Sequence, residues 1–240
     1  MMMAAARLES ASSDPNQTGA TRYLDLAHIE QSLREVQQDF TRINQSLDVK
    51  REDMSNELIQ NLLSAYSYLD KLVDRFNDLF ADRAVEELLE LNHLVLCGKD
   101  SNTRTEYYKH IVATQDKFYK NLHWVKEWYH KHKKDPVYKR AAGVYARILC
   151  QPQLFIEGNH RTGSLIASLE LLRHGKPPFV LNKDNAVAYF NPSSVIKWKN
   201  RMNYLDRTFY IPGLKKKFGI FLEKHADQGY LLPPPLAVVQ

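Results

Sequence analysis

The sequence predicts an all-α protein, and three observations lead to this prediction. Apolar residues recur at the spacing of helix turns in one segment after another. Nine glycines in 240 residues are few, which favours helices over a turn-rich β architecture. No segment alternates polar and apolar residues strongly enough to indicate a sheet. A chain of this length is suited to one domain that buries a proper core.

Apolar stripes predict three helices in the first part of the chain. The first covers 24–47 and the second 59–80, where the stripe is continuous. The third covers 85–96 and ends at Gly98, which lies in the position of a C-cap. Residues 99–105 are predicted to form a loop.

The rest of the chain is predicted to be helical as well, with prolines marking the interruptions. Asp135-Pro136 ends one helix, because the residue before a proline disfavours helical geometry, and Pro177-Pro178 ends another. The expected helices cover 107–119, 122–131, 137–150, the stretch from Leu165 to about His174, 193–204 and 214–224.

The chain is predicted to form one domain between two tails. Residues 1–21, rich in Ala, Ser and Asn without periodicity, are expected to be a flexible tail. Residues 22–227 form the domain. Residues 228–240 include three consecutive prolines and are expected to be extended and exposed.

Composition bounds the partners and the compartment. The net charge of +5 is mild and its lysines and arginines are spread along the chain, so no nucleic-acid partner is predicted. No apolar run is long enough to cross a bilayer, and no membrane partner is predicted. Cys97 and Cys150 are expected to be buried free thiols. These thiols and the absence of a secretory signal point to the cytoplasm, although an effector exported by a dedicated machinery would have the same features.

Residues 155–163, Phe-Ile-Glu-Gly-Asn-His-Arg-Thr-Gly, are the segment that chemistry rather than packing would select. They predict a tight loop that leads into a helix N-terminus. Unpaired amides and the positive end of the helix dipole make such an N-terminus a binding site for phosphate. Gly158 allows close approach of a ligand and Asn159 tolerates left-handed backbone geometry. Arg161 can donate two hydrogen bonds to phosphate, and Glu157 can hold a divalent cation.

This segment resembles the signature of Fic (fido-fold) proteins, His-x-Phe-x-(Asp/Glu)-Gly-Asn-Gly-Arg-x-x-Arg. The flanking residues 124–150 and 165–189 are also similar to the family, so that the resemblance covers roughly half of the chain. It implies a Fic-like helical bundle in which the motif loop lies between two central helices. The matching positions are Phe155, Glu157, Gly158, Asn159 and Arg161.

The resemblance implies functional roles for particular residues. Fic proteins typically transfer AMP from ATP to a protein hydroxyl, so a nucleotide or nucleotide-derived donor and a protein target are the implied partners. Glu157 is then the implied ligand of Mg²⁺, and Asn185 and Tyr189 border the nucleotide base. The implied phosphate-binding residues are Gly158, Asn159, His160, Arg161, Thr162, Gly163 and Ser164.

Two departures from the signature bear on catalysis. Gln153 occupies the position of the catalytic His, and a carboxamide cannot serve as a general base, a role that contributes about 10²–10⁴-fold to rate. Ser164 occupies the position of the second Arg and removes a contact to the terminal phosphate. His160, at the helix start, is either a substitute base or a hydrogen-bonding and capping residue.

Ordinary AMP transfer is therefore not expected, and two hypotheses follow. The first is a transferase with altered chemistry, which moves a nucleotidyl, phosphoryl or glycosyl group to a protein side chain. The second is a pseudoenzyme that binds a nucleotide or a protein partner without turnover.

Overall fold

The computed structural model describes residues 23–233, and within this range the protein is all-α. Two isolated β-bridges, Leu24 with Leu231 and Gln151 with Asn200, are the only β pairings there. A π-helix (Asp206–Tyr210) leads into the last α-helix, and a 3-10 turn (Gln228–Tyr230) follows it. The α-helices are α1 (Leu26–Gln38), α2 (Phe40–Gln45), α3 (Asn56–Leu72), α4 (Asp82–Cys97), α5 (Ser101–Glu106), α6 (Tyr108–Lys131), α7 (Val137–Leu149), α8 (Asn159–Leu172), α9 (Ala186–Trp198) and α10 (Ile211–Lys224).

Local capping explains several helix boundaries. The Asp25 and Ser55 side chains accept hydrogen bonds from the first-turn amides of α1 and α3. Gly98 ends α4 with a φ of +62°, as the sequence predicted, since glycine tolerates that backbone geometry.

Five predicted boundaries are corrected by the structure. The helix expected over 59–80 is α3, which ends at Leu72. The helix expected over 24–47 is interrupted at Asp39 and forms α1 and α2. The loop expected over 99–105 is mostly α5, because the Asp100 carboxylate caps it by accepting from the Thr103 amide at 2.8 Å. The helices expected at 107–119 and 122–131 are one helix, α6. The helix expected at 193–204 is α9, which begins earlier and contains Pro192.

The motif loop lies between two helices at the centre of the molecule, as predicted. α7 and α8 pack closely. A Cβ on Gly163 of α8 would lie only 3.2 Å from the Tyr145 ring of α7, so glycine permits this approach. Tyr145 and Phe155, the latter within the loop itself, are both fully buried. Phe155 therefore anchors the loop in the core.

A buried ion pair joins three helices beside this core. Glu170 of α8 is fully buried and accepts a hydrogen bond from Arg140 Nε of α7 at 2.6 Å. It also accepts from the Tyr129 hydroxyl of α6 at 3.0 Å. Removing one partner would leave a buried charge uncompensated, so this cluster fixes the register of α6, α7 and α8.

The end of the described chain is docked rather than extended. Tyr230 is 2% exposed, and its hydroxyl lies 3.0 Å from Ser32 Oγ and 3.3 Å from Asn182 Nδ2. The prediction of an extended, exposed tail is therefore wrong for residues 228–231, and Leu231 pairs with Leu24. The predicted tail at 1–21 and residues 234–240 lie outside the described residues.

Two further findings concern the cysteines and the apolar character of the helices. Cys97 and Cys150 are buried free thiols, as expected. Between residues 23 and 233, no helix has both the length and the apolar character needed to span a bilayer.

Candidate functional site

A cleft of about 430 Å³ opens at the N-terminus of α8. One wall is the start of α8, from Gly158 to Ser164. A second wall is the segment 49–54, which connects α2 to α3, and a third comes from α9. Its volume is within the range typical of small-molecule sites.

The motif loop that forms the first wall is locked by side-chain hydrogen bonds. The Asn159 amide closes the loop on itself, because its Oδ1 accepts from the Phe155 amide at 2.9 Å and its Nδ2 donates to the Phe155 carbonyl at 3.0 Å. Asn92 of α4 donates to the Glu157 carbonyl and to Thr162 Oγ1. Gly158 has a φ of +71°, and a Cβ there would lie 3.0 Å from Asn92 Nδ2, so glycine is required.

This locked loop leaves the first amides of α8 free. The backbone N–H groups of Asn159, His160 and Arg161 have no hydrogen-bond partner within residues 23–233, and no side chain caps the helix. All three residues line the cleft. Unpaired amides and the positive end of the helix dipole together favour an anion at this position.

Cationic side chains surround the same end of the cleft. Arg161 is partly buried and donates from one guanidinium nitrogen to the Val95 carbonyl at 3.2 Å. Arg51 donates to Ser194 Oγ at 2.7 Å and lies over the Phe190 ring. Arg51 Nε is buried without a partner in the described part of the chain. The positive charges of Arg51 and Arg161 therefore lie at the cleft, where charge-assisted hydrogen bonds to an anion would stabilise a ligand.

His160 belongs to a closed ring of hydrogen bonds. The Tyr189 hydroxyl donates its proton to the His160 carbonyl at 3.1 Å. The Tyr189 oxygen therefore accepts the hydrogen bond from the Tyr145 hydroxyl at 3.2 Å. Tyr145 must then accept from His160 Nδ1, 3.4 Å away, which places the imidazole proton on Nδ1. His160 Nε2 is left as a buried lone pair without a partner among the described residues.

The environment of His160 disfavours its cationic form. Burial, and then the positive charges of Arg51, Lys197 and Arg161, lower its pKa from 6.5 to about 3. The imidazole is therefore neutral at pH 7, with burial as the main cause. A base of such low proton affinity is far from the optimum for proton abstraction at neutral pH.

Aromatic side chains, several of them from α9, also line the cleft. Phe179, Tyr189 and Phe190 lie inside it, whereas Trp198 lies at its mouth with 69% of its surface exposed. Flat aromatic surfaces next to an anion-binding end suit a ligand with a planar ring and a phosphate.

Six of the predicted site residues meet in the cleft. They are Gly158, Asn159, His160, Arg161, Ser164 and Tyr189. Asn159 contributes its backbone amide, since its side chain is used within the loop. Ser164 donates to the Arg161 carbonyl at 2.8 Å, which is a local helix contact.

Two predicted residues near the loop lie outside the cleft lining. Gln153 is buried and donates to the Leu149 carbonyl at 3.1 Å, so it closes the end of α7. Glu157 has an exposed side chain that does not line the cleft. No group of three or more His, Cys, Asp or Glu side chains suited to a metal occurs in the described part of the chain.

Three further predicted residues are used in packing. Thr162 is fully buried and bonded to Asn92, and Gly163 is packed against Tyr145. Asn185 is fully buried, and its Nδ2 donates to the Val180 carbonyl at 2.9 Å. It therefore stabilises the turn before α9 and does not line the cleft.

Four cleft residues were missed in the sequence. Lys50, Arg51, Lys197 and Trp198 are remote from the motif in the chain but line the same cleft. Lys50 is used structurally, since its ammonium donates to three carbonyls at the end of α2. The only local signal was the Lys50-Arg51 pair between two predicted helices, which does not indicate a ligand.

Comparison of the chain with models of known protein families, with curated proteins and with solved structures finds no match. The geometry of the cleft is therefore the basis for a functional conclusion.

Proposed function

We propose that the cleft binds a nucleotide or a nucleotide-derived ligand, with its phosphates on the N-terminus of α8. The observation that carries the proposal is the convergence of three unpaired amides, Arg161 and Arg51 on one end of the cleft. The resemblance of residues 153–164 to the Fic signature supports the same ligand class.

The charge balance of the cleft supports a ligand with more than one negative charge. Lys50, Arg51, Arg161 and Lys197 line it together with a single acidic residue, Glu52. A phosphate or diphosphate would neutralise this excess and accept from the guanidinium groups of Arg51 and Arg161.

The chemistry of the cleft favours binding over ordinary AMP transfer. Gln153 is engaged in the core, and His160 is a very weak base. Glu157, the predicted metal ligand, lies outside the cleft lining. We therefore place the protein closer to a Fic-like pseudoenzyme than to a transferase.

Calorimetric titration of the protein with ATP, ADP and UDP-sugars tests the proposal. Arg161→Ala and Arg51→Ala should each weaken binding of the preferred ligand by about 10–100-fold, because each removes a charge-assisted contact of about 1.5–3 kcal/mol. Arg83→Ala is the matched control, since Arg83 is exposed on α4 and does not line the cleft. Absence of heat with every nucleotide, or equal affinities for all variants, would contradict the proposal.

Group transfer is tested separately with labelled donors. Incubation of the protein and a cell lysate with radiolabelled ATP and nucleotide-sugars should leave acceptor proteins unlabelled if the cleft only binds. Label that depends on Arg161 would instead establish the transferase hypothesis, with chemistry that does not use a histidine at position 153.

A further inference from the structure

A ridge of exposed apolar side chains lies between α9 and α10. Its members are each more than half exposed, which is unusual for residues of this size and character. They are Trp198, Met202, Tyr204, Leu205, Phe209 and Tyr210. We call residues 198–210 the aromatic ridge.

The aromatic ridge is convex and firmly attached. Of residues 202–210, only Asp206 is not exposed, so the segment protrudes and encloses no groove. Asp206 accepts from the Asn200 amide at 2.8 Å and pairs with Lys199. Buried Arg201 anchors the base of the ridge by donating to the Arg147 carbonyl at 3.0 Å.

Positive charge is concentrated around the ridge. Residues 195–217 hold seven Lys or Arg and one Asp. Arg201 is buried, Lys199 is paired with Asp206 and Lys215 lies over the Trp128 ring, which leaves four cations. These four are Lys197, Arg207, Lys216 and Lys217.

We propose that the aromatic ridge docks the protein on the surface of an anionic lipid bilayer. Tyrosine, tryptophan and phenylalanine side chains are favoured at the level of lipid headgroups, and flanking lysines and arginines are attracted to anionic lipids. A convex ridge suits a bilayer, which yields to separate side chains, better than it suits a peptide, which needs a groove or a sheet edge.

The same helical face continues the pattern beyond the ridge. Phe209 and Lys216 are seven residues apart, and exposed Ile220 follows four residues later, so the three share one side of the helical segment. The prediction of no membrane partner was based on the absence of a spanning segment, which does not bear on binding at the surface. Trp198 also lies at the mouth of the cleft, so a bound bilayer would lie beside its entrance.

Co-sedimentation of the full chain with vesicles tests this proposal independently of nucleotide binding. Vesicles of phosphatidylcholine with 30% phosphatidylserine (about one lipid in three) should sediment the protein at low salt, and vesicles of phosphatidylcholine alone should not. Raising the salt should weaken binding, because the attraction is partly electrostatic.

Variants separate the apolar and the charged contributions. Phe209→Asp should weaken binding at least about 10-fold, while Tyr108→Asp, at an equally exposed aromatic residue on α6, should not. The double variant Lys216→Glu/Lys217→Glu should likewise lose at least about 10-fold, and Lys109→Glu/Lys120→Glu, with the same change in charge, should not. Retained thermal unfolding transitions verify that the variants fold.

Two results would overturn the proposal. One is no sedimentation with anionic vesicles at low salt. The other is binding that is lost in Lys216→Glu/Lys217→Glu but unchanged in Phe209→Asp, since this would indicate a general polyanion surface, such as one for nucleic acid or an acidic protein. Quenching of Trp198 by brominated lipid, absent in Trp198→Phe, would locate the contact at the ridge.

Discussion

At the scale of single residues, several side chains of the motif form hydrogen bonds within the protein and are not available to a ligand. Asn159 does not adopt the left-handed geometry that its type tolerates, because Gly158 takes that conformation and Asn159 is the first residue of α8. Its amide group is used within the loop, and only its backbone faces the cleft. The Gln153 side chain is also used within the protein, because it donates to the Leu149 carbonyl at the end of α7. A motif therefore predicts which residues meet at a loop better than it predicts which atoms face a ligand.

His160 gives a prediction about the pH dependence of stability. Its folded-state pKa of about 3 is below the ordinary value of 6.5, so the unfolded chain binds more protons between these values. The contribution of the neutral imidazole is fully present above pH 6.5 and is lost as the pH falls towards 3. Between pH 7.5 and 5.0 the free energy of unfolding should fall by about 2 kcal/mol from this group alone.

Urea denaturation of the wild type and of His160→Gln at both pH values measures this loss. The variant lacks the titrating group, so its free energy of unfolding should fall by about 2 kcal/mol less than that of the wild type. Other titrating groups contribute equally to both proteins. An equal fall in the two proteins would show that His160 is not held neutral by burial.

At the scale of elements, the sequence predicted the helices well where an apolar stripe faces the core. α4, α7, α8 and α10 lie where periodicity placed them, whereas α3 ends at Leu72, eight residues before the predicted end at 80. Boundaries were wrong where a cap or a long-range contact decides them, as at α5, which an aspartate begins. The start of α9 was missed because its N-terminal half is held by the turn at Asn185, whose bonds could not be inferred locally.

The contact between α6 and α7 gives a prediction at this scale. A Cβ on Gly143 of α7 would lie 1.8 Å from the Trp128 ring of α6, so the two helices approach at a point where only glycine fits. Gly143→Ala should therefore destabilise the protein by about 1–3 kcal/mol through overpacking, although alanine favours a helix.

Gly213→Ala is the matched control for this helix contact. Gly213 is also helical, lies in α10, and a Cβ there meets nothing within 4 Å. The same substitution should be neutral or stabilise by up to about 1 kcal/mol. Thermal unfolding of both variants measures the difference, and equal melting temperatures would show that Trp128 moves aside without cost.

At the scale of the whole molecule, neither the cleft nor the aromatic ridge follows from a local pattern. Arg51 reaches the motif from a segment more than a hundred residues earlier in the chain, and its position depends on how α2, α3 and α9 pack. The ridge is apolar by sequence, which predicts burial, and only the fold shows that these side chains remain exposed. Composition and periodicity therefore predicted the all-α class, and the placement of surfaces required the structure.

Closure of the chain by Tyr230 gives the last prediction. Tyr230 fills a core position against α1, where its ring lies 4.7 Å from that of His28 and its hydroxyl reaches Ser32. Tyr230→Ala should lower the free energy of unfolding by about 3–5 kcal/mol, the range for removal of a buried aromatic side chain. Tyr230→Phe, which keeps the ring, should cost only about 1 kcal/mol from the lost hydrogen bonds.

Leu232→Ala is the control, since Leu232 lies two residues further on with its side chain 38% exposed and should change stability by less than about 0.5 kcal/mol. Guanidinium denaturation of the three variants provides the comparison. If Tyr230→Ala were as stable as Leu232→Ala, residues 228–231 would be a tail after all. A large loss confined to Tyr230→Ala would instead show that both ends of the domain fold as one unit, because the ring joins α1 to the last turn of the described chain.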